Sequence, residues 1–502
     1  QPGLDWHLSQ EDIQVSLVWG AQVLQRIAQQ VRAAENQVAV AEKMAALGAV
    51  NRVAPWPGTS LDEAWRTLLL AQHHDCWIVP YNGRRQQTWA DKVAQWTSNT
   101  CQRSESIVAN LAGGNSPVPG ATDHLVATVY NTQGHERTEV VQAKMPADWI
   151  QCPVQITDFR GHQLTNQWVQ DLTGKWVLAW VAAANPLAQA RYELRRLSSV
   201  SAVAAPLMGV TNGLMTFENN QYKMVLDADH GGVITHLLAK TLARQEWVGT
   251  NQDHGFNQIR GYFYERGRFL ATTDRPARLE LLESGPLRQR VRIHAWLGDT
   301  PCVQELALTT GESRIDCSVY LAWRENLGIG NEKGQFGEDQ REQDYKPFYD
   351  DRAKLLVTFP VPAGRQEISK DAPFAVTAST LMNTFFDRWS GIKNNVILNW
   401  VDAYDPEQKR GLAVFTDHTT SYVHGADFPL GLTLQYSGAG LWGRDYTVNG
   451  PTTVHYALLP HVGDWETGQV WSRSRDWNEP LTVSIQEAAR TNAVWEAGLW
   501  LE

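Results

Sequence analysis

The chain has 502 residues, of which 44 are Lys or Arg and 54 are Asp or Glu, so its formal net charge is −10. Hydrophobic residues make up 43% and charged residues 20%, which is typical of a globular chain and not of a disordered one. No Lys/Arg-rich run is present, and no apolar stretch approaches the roughly 20 residues of a membrane helix. The sequence therefore predicts about three folded domains and excludes nucleic-acid-binding and membrane-embedded roles.

The cysteines indicate neither a disulfide framework nor a cysteine zinc cluster, because they are scattered, odd in number and without a C-x-x-C pair. They are Cys76, Cys101, Cys152, Cys302 and Cys317. The first residue is Gln1, with neither an initiator Met nor a signal-like segment, so the sequence predicts no compartment.

Residues 1–112 are predicted to form a three-helix bundle. Apolar residues recur at helical spacing from Ser9 to about Leu47, again from Ser60 to about residue 75, and again from Thr88 onward. Each predicted helix begins with Ser or Thr followed three residues later by an acid, the pattern of a capping box. The pairs are Ser9 with Asp12, Ser60 with Glu63, and Thr88 with Asp91.

After a Gly/Pro/Ser-rich boundary at residues 113–120, the pattern changes to short strands. Residues 121–200 are predicted to form a small β domain, and residues 201–502 a large, mainly antiparallel β-sandwich domain. The fold class is thus α + β multidomain, with an N-terminal helical bundle followed by β-sandwich domains. Predicted strands of the large domain include residues 233–238, 288–297, 354–359, 396–400 and 454–459.

The second helix closes on the polar run Gln72-His73-His74-Asp75. Imidazole and carboxylate are both zinc ligands, but adjacent side chains point about 100° apart around a helix, so at most one imidazole is expected to face a given site. The alternative is a set of polar residues that simply ends a helix. A second acidic segment, residues 331–352, is read as a solvated loop, with a cation site as its alternative.

The run from Ala64 to Asp75 resembles the helical-domain signature of glycoside hydrolase family 38, the retaining α-mannosidases. Further motifs similar to those of the family follow in the family's order. They are Gly231-Gly-Val-Ile234, Asp371-Ala-Pro-Phe374, Asn399-Trp-Val-Asp402, Gly411-Leu-Ala-Val-Phe-Thr-Asp417 and Tyr456-Ala-Leu-Leu-Pro-His-Val-Gly-Asp-Trp465.

The resemblance implies that this chain is the C-terminal portion of such an enzyme. In the family, an N-terminal α/β domain carries a His-x-Asp zinc pair, the nucleophilic Asp and the acid/base Asp, and this sequence has no matching region. We therefore expect no catalytic residue in this chain, weak zinc binding and no turnover by the chain alone. The partners implied are that N-terminal domain and a mannose-containing oligosaccharide.

By the same resemblance, His74 is the zinc ligand contributed by the bundle, Asp75 contacts substrate hydroxyls, and His73 supports the helix end. Tyr262 is similar to a sandwich tyrosine that reaches the family's active site, with a plain strand aromatic as its alternative. The sequence departs from the family after Asp75, where residues 76–82 replace a small residue and a Gly-Thr turn.

Two other functions stay open. The 22 tryptophans suit either sandwich cores or a stand-alone carbohydrate-binding protein, in which aromatic faces stack on sugars without zinc. A different, complete hydrolase with catalytic acids in the acidic segment or the sandwich would turn over a glycoside unaided. If the bundle face near His74 normally docks a domain, it should be apolar, and its exposure would favour a homo-oligomer.

Overall fold

A computed structural model describes fourteen stretches of the chain. They are residues 25–78, 83–84, 87–112, 122–197, 210–250, 253–263, 266–322, 354–362, 364–379, 392–425, 428–436, 438–439, 445–446 and 451–487. The predicted fold class is confirmed, since helices precede a chain dominated by antiparallel strands. The predicted start of the first helix and the acidic segment 331–352 lie outside the described residues. None of the described helices combines the length and the apolar character needed to cross a membrane.

Three long helices form the N-terminal bundle. They are α1 (Gln25–Val50), α2 (Gly58–Ala71) and α4 (Trp89–Leu111), with the short helix α3 (His74–Ile78) between the last two. A two-stranded ribbon, Gly83–Arg84 with Gln87–Thr88, also lies there. The predicted apolar faces are buried in part: Val38, Leu68 and Val93 have no exposed surface, whereas Trp65, Trp89 and Trp96 pack partly buried against the same core.

The helix starts only partly follow the predicted capping boxes. At α4 the backbone N–H of Asp91 donates to Thr88 Oγ1 at 3.2 Å, and that of Thr88 donates to Asp91 Oδ2 at 2.8 Å, so this box is confirmed. At α2 the N-cap is Pro57, which makes no side-chain capping bond, so the box predicted at Ser60 is wrong. Because α2 begins two residues before Ser60, that hydroxyl lies inside the helix and cannot cap it.

The small β domain consists of two antiparallel sheets around a core that includes Trp149 and Trp180. The first sheet has the spatial order Thr482–Glu487, His124–Tyr130, Gln189–Arg196, Val154–Asp158, Gln163–Leu164. The second has the order Arg137–Ala143, Trp176–Ala184, Asn166–Gln170. The predicted range 201–502 for the large domain therefore contains one strand, Thr482–Glu487, that the structure pairs with the small domain.

The large β domain is built from three main antiparallel sheets. Four strands form the first: Leu214–Glu218, Tyr222–Asp227, Val233–Ala239 and Gln245–Glu246. Six form the second, in the order Arg268–Ala271, Gln258–Phe263, Lys354–Phe359, Leu430–Tyr436, Thr420–Gly425, Ile392–Ile397. Nine form the third, in the order Arg278–Ser284, Arg288–Leu297, Thr300–Thr309, Ile315–Leu321, Thr452–Val462, Arg410–Thr416, Trp400–Asp405, Glu367–Ala372, Ala375–Ser379. A two-stranded ribbon, Gly438–Ala439 with Asp445–Tyr446, completes the set.

One continuous hydrophobic core joins these three sheets, with Leu237, Val357 and Leu306 as buried members from each in turn. The helix α5 (Val470–Asn478) covers the other face of the nine-stranded sheet through a second cluster that contains Phe415 and Val470. This two-faced burial explains why strand Arg410–Thr416 is apolar at almost every position rather than alternating.

The predicted strand at residues 396–400 is wrong, because it spans the end of one strand and the start of another. Ile392–Ile397 belongs to the six-stranded sheet and Trp400–Asp405 to the nine-stranded sheet. Between them the backbone N–H groups of Leu398 and Asn399 donate to the carboxylate of Asp371. A single apolar run therefore crosses from one layer to the other.

Helix α1 lies against the large β domain. Gln29 Nε2 donates to the carbonyl of Thr453 at 2.7 Å, and Arg32 Nη2 donates to Thr419 Oγ1 at 3.0 Å. These bonds fix the bundle, and with it the polar run at the end of α2, on one side of the nine-stranded sheet.

Candidate functional site

The polar run lies at a break between two helices. Helix α2 ends at Ala71 and α3 begins at His74, while the N–H of His73 donates to the Leu70 carbonyl at 3.2 Å. The N–H of Cys76 in turn donates to the His73 carbonyl at 3.0 Å. The expected divergence of the two imidazoles assumed one continuous helix, whereas the structure has a break before His74. That at most one imidazole faces a metal site stays a prediction.

The break brings three potential ligand groups together. Among the described residues, His73, His74 and Asp75 form one group whose ligand atoms all lie within 4.8 Å of one another. His74 Nε2 is 3.4 Å from Asp75 Oδ1, and His73 Nδ1 is 3.9 Å from Asp75 Oδ2. The side chain of His73 is 50% exposed, that of His74 is 69% exposed and that of Asp75 is 47% exposed. The cluster is open to a ligand from outside the bundle.

His73 is held as part of the helix end. Its Nδ1 accepts the backbone N–H of Asp75 at 3.2 Å, which fixes Nδ1 as the unprotonated nitrogen in this geometry. Its ring stacks on His74 with centroids 4.5 Å apart and lies 6.4 Å from Trp89 at an angle of 22°. The Lys92 ammonium covers Trp89 at 4.3 Å, so the stack ends in a cation–π contact.

Two partly buried contacts anchor the short helix α3 under the cluster. Trp77 Nε1 donates to the Ala71 carbonyl at 3.1 Å, and Cys76 Sγ lies 3.7 Å from the Leu70 carbonyl. Burial and the negative charge of Asp75 raise the pKa of the Cys76 thiol. The neutral, buried thiol is a poor metal ligand, so the ligand groups here are imidazole and carboxylate.

The donor set fits a zinc ion. Zinc binds nitrogen and oxygen ligands at about 2.0–2.2 Å in a tetrahedron, which places neighbouring ligand atoms about 3.3–3.5 Å apart. The separation of 3.4 Å between His74 Nε2 and Asp75 Oδ1 matches that edge. These residues supply only one side of a tetrahedron, so a catalytic centre built on them needs ligands from elsewhere.

Apolar surface adjoins the cluster on α2. Leu69 and Leu70 are 62% and 46% exposed and lie four and three residues before His73, respectively. Exposed apolar side chains therefore lie directly beside the polar cluster.

Tyr262 belongs to a different part of the fold. It lies on strand Gln258–Phe263 of the six-stranded sheet, opposite Phe269, and its ring meets that of Phe269 edge-on at 5.2 Å. The structure thus groups His73, His74 and Asp75 in the bundle and places Tyr262 in the large β domain.

The later motifs contact one another inside the large β domain. Asp402 Oδ1 and His461 Nε2 are 2.9 Å apart and both side chains are buried, while Trp400 stacks on Trp465 at 6.0 Å. A Cβ at Gly411 would lie 2.6 Å from the His461 ring, which explains the glycine there. These motifs serve packing, since they pair residues far apart in the sequence within one sheet.

Sequence reasoning missed a second, partly buried cluster. Asp417 accepts from His418 Nδ1 at 2.6 Å and from His455 Nδ1 at 3.0 Å. Burial alone would raise the pKa of Asp417, but the two imidazoles hold it well below its usual range. Thr419, the residue after His418, accepts a hydrogen bond from Arg32 of α1, so the cluster lies next to a contact between the bundle and the large β domain.

Comparisons with known proteins support the fold. The chain is similar to a protein in the glycosyl hydrolase family 38 from Enterococcus faecalis, with a TM-score of 0.67 and 14% identity over 95% of this chain and 61% of that one. It is also similar to an alpha-mannosidase from Enterococcus faecalis V583, with a TM-score of 0.68 and 14% identity over 95% of this chain and 58% of that one. The resemblance seen in the motifs is thereby confirmed as a shared fold, and the chain spans about three-fifths of the length of each of these structures. No protein-family model and no curated protein sequence matches it.

Proposed function

We propose that the chain is the C-terminal part of a retaining, zinc-dependent α-mannosidase that hydrolyses terminal α-mannosides. One observation carries the proposal: an imidazole–imidazole–carboxylate cluster lies exposed at the end of α2, within a fold shared along 95% of the chain with a family 38 glycoside hydrolase. The residues of this cluster also belong to the sequence motif that resembles the family.

Each member of the cluster has a different role in this proposal. His74 is the metal ligand, because its side chain is 69% exposed, whereas His73 Nδ1 already accepts the backbone N–H of Asp75. Asp75 accepts hydrogen bonds from sugar hydroxyls, and His73, already bonded to the Asp75 backbone, keeps the helix end in place. Tyr262 is assigned to the substrate contact from the large β domain. When bound, zinc supplies Lewis-acid stabilisation of charge on sugar hydroxyl oxygens.

The catalytic carboxylates come from an N-terminal α/β domain that docks on the face containing Leu69 and Leu70. The exposure of these two leucines beside the cluster supports such a contact. Without that domain, the 502-residue chain binds zinc weakly, hydrolyses no mannoside and self-associates through the same face.

An assay on a chromogenic α-mannoside tests the proposal. Three samples are compared: the 502-residue chain, the same chain mixed with a separately produced α/β domain from the upstream reading frame, and that mixture with His74→Ala. We expect the second sample to hydrolyse the mannoside and to contain stoichiometric zinc. We expect the third sample to have lost both the hydrolysis and the zinc.

His162→Ala is a matched control, because His162 is also 69% exposed and also pairs with an acid, Asp158 at 3.0 Å. It should leave activity and zinc content unchanged. Hydrolysis by the 502-residue chain alone would instead indicate a complete hydrolase. Saccharide binding that needs neither zinc nor His74, with no hydrolysis in any mixture, would indicate a carbohydrate-binding protein.

A further inference from the structure

A cavity of about 630 Å³ opens at the edge of the six-stranded sheet. Its wall comes from the strand Gln258–Phe263, the strand Arg268–Ala271, the residues just before and after them, and Phe428. No lining residue comes from the bundle. The volume lies in the range of about 300–1,000 Å³ that is typical of small-ligand sites.

Arg260 is the centre of the cavity wall. Its guanidinium lies 3.9 Å from the centroid of Phe269 and 5.6 Å from that of Phe428, so two aromatic rings hold the planar group. One of its N–H groups also donates to His254 Nε2. A guanidinium held by stacking and by a fixed acceptor loses little side-chain freedom when it binds a ligand.

His254 must be neutral to accept that bond. Burial, together with the adjacent positive charge of Arg260, lowers its pKa to about 4. Its ring packs edge-on against Phe428 at 4.6 Å, which keeps Nε2 directed at Arg260. At neutral pH the cavity wall thus carries one cation, Arg260, and two acids, Asp253 and Asp274.

These charges select the class of ligand. A guanidinium only donates hydrogen bonds, whereas ionised carboxylates only accept them. Asp274 is fixed at the rim, since its Oδ2 accepts the N–H of Ala271 at 3.1 Å. An anion would meet the guanidinium but also two carboxylates, so the site disfavours it. A hydroxyl both donates and accepts, and neighbouring hydroxyls on one ring satisfy the cation and the acids together.

We propose that this cavity is a binding site for a neutral saccharide, with Arg260 as the principal donor and Asp253 and Asp274 as acceptors. The aromatic rings of Phe269 and Phe428 hold the donor in position rather than stacking on the sugar. The inference does not rest on the mannosidase assignment, because it uses no residue of the bundle.

Titration calorimetry on the 502-residue chain at pH 7 tests it. The probes are methyl α-D-mannopyranoside, D-glucose and D-galactose, with inorganic phosphate and acetate as anions. We expect at least one saccharide to bind, and Arg260→Gln to weaken its binding about tenfold, since hydrogen bonds from a charged group contribute about that much. Arg268→Gln is the matched control, because Arg268 is exposed on the neighbouring strand and does not line the cavity.

Two more variants keep the test decisive. Asp253→Asn removes an acceptor at an exposed position and should weaken binding even if Arg260→Gln proves unstable in thermal unfolding. His74→Ala should leave saccharide binding unchanged, which separates this site from the proposed metal site. The inference is overturned if none of the saccharides binds, if phosphate or acetate binds more tightly than they do, or if binding depends on His74 and not on Arg260 and Asp253.

Discussion

At the scale of single residues, the large β domain depends on polar pairs that lie inside its sheets. Asp402 and His461 are the clearest case, since the two side chains are 0% and 5% exposed and meet at 2.9 Å. Neither Asp402 Oδ2 nor His461 Nδ1 has a protein partner among the described residues. Each side chain therefore depends on the other.

His461→Ala should lower the free energy of unfolding of the large β domain by about 3 kcal/mol, because it leaves a buried carboxylate without its partner. Hydrogen exchange at the backbone amides of Trp400–Asp405 and Thr452–Val462 measures the loss. His236→Ala is the control, because His236 meets Glu246 at a similar 3.0 Å but is 66% exposed. His236→Ala should lower the free energy of unfolding by less than about 1 kcal/mol. Equal losses from His236→Ala and His461→Ala would contradict the role given to burial.

Stability should also fall between pH 6.5 and pH 4. Burial lowers the pKa of His424 to about 4, against about 6.5 in an unfolded chain. Between these two pKa values His424 is protonated in the unfolded state and neutral in the folded state. The free energy of unfolding therefore rises with pH in this window. At pH 5 the loss from this histidine is about 2 kcal/mol at most.

Urea unfolding followed by tryptophan fluorescence at pH 7 and pH 5 measures this dependence. His424→Gln should reduce the pH dependence, whatever its effect on stability at pH 7. The buried His254, whose pKa is also about 4, should account for a further part of the slope. An unchanged pH dependence of stability in both His424→Gln and His254→Gln would show that other groups dominate the acid response.

At the scale of helices and strands, local signals were correct in part. The box of Thr88 and Asp91 was predicted correctly, whereas the equally local pair of Ser60 and Glu63 forms no box because α2 begins earlier, at Gly58. The strand predicted at residues 396–400 failed because its break is held by Asp371, more than twenty residues earlier, whose carboxylate accepts from Leu398, Asn399 and Trp400. Long-range side-chain contacts of this kind leave no periodic signal in a sequence.

The candidate site was likewise predicted only in part. The types of its three ligand groups were evident from the run His73-His74-Asp75, but their arrangement was not. It depends on the break before His74, which Trp77 and Cys76 stabilise through contacts with the last turn of α2. The cavity around Arg260 left no signal, because Phe428 reaches it from a distant segment.

The two capping patterns give a direct test at this scale. Thr88→Ala should destabilise α4 by about 1 kcal/mol, because it removes the acceptor of the Asp91 N–H. Ser60→Ala should change the stability of α2 by less than about 0.5 kcal/mol, since Ser60 lies inside the helix. Hydrogen exchange at the first-turn amides of both helices measures the difference, and a large effect at Ser60 would contradict the observed helix start.

At the scale of the whole molecule, the two β domains are joined by more than a linker. Arg137, in the small β domain, donates to the carbonyls of Glu479 at 2.8 Å and Asp476 at 3.0 Å, at the end of α5. The chain then enters strand Thr482–Glu487, which pairs with His124–Tyr130 over six residues. The small β domain thus combines residues 122–197 with a strand from the C-terminal end of the described chain.

A truncation after residue 480 should therefore damage the small β domain rather than the large one. It leaves strand His124–Tyr130 as an unpaired sheet edge, and such edges promote aggregation. Size-exclusion chromatography and hydrogen exchange should reveal self-association and faster exchange in that strand. Truncation after Glu487 keeps the strand pair and is the control; aggregation of both truncated chains would point to another cause.

This pairing also sets an order for folding during synthesis. The strand Gln189–Arg196 ends 286 residues before the strand Thr482–Glu487 begins, as 482 − 196 gives. At translation rates of about 5–20 residues per second, the first sheet would wait roughly 15–60 s for its last strand. During that interval the edge of His124–Tyr130 is exposed on the ribosome while the large domain folds. Nascent chains of this protein should therefore bind chaperones through their small β domain until translation is almost complete.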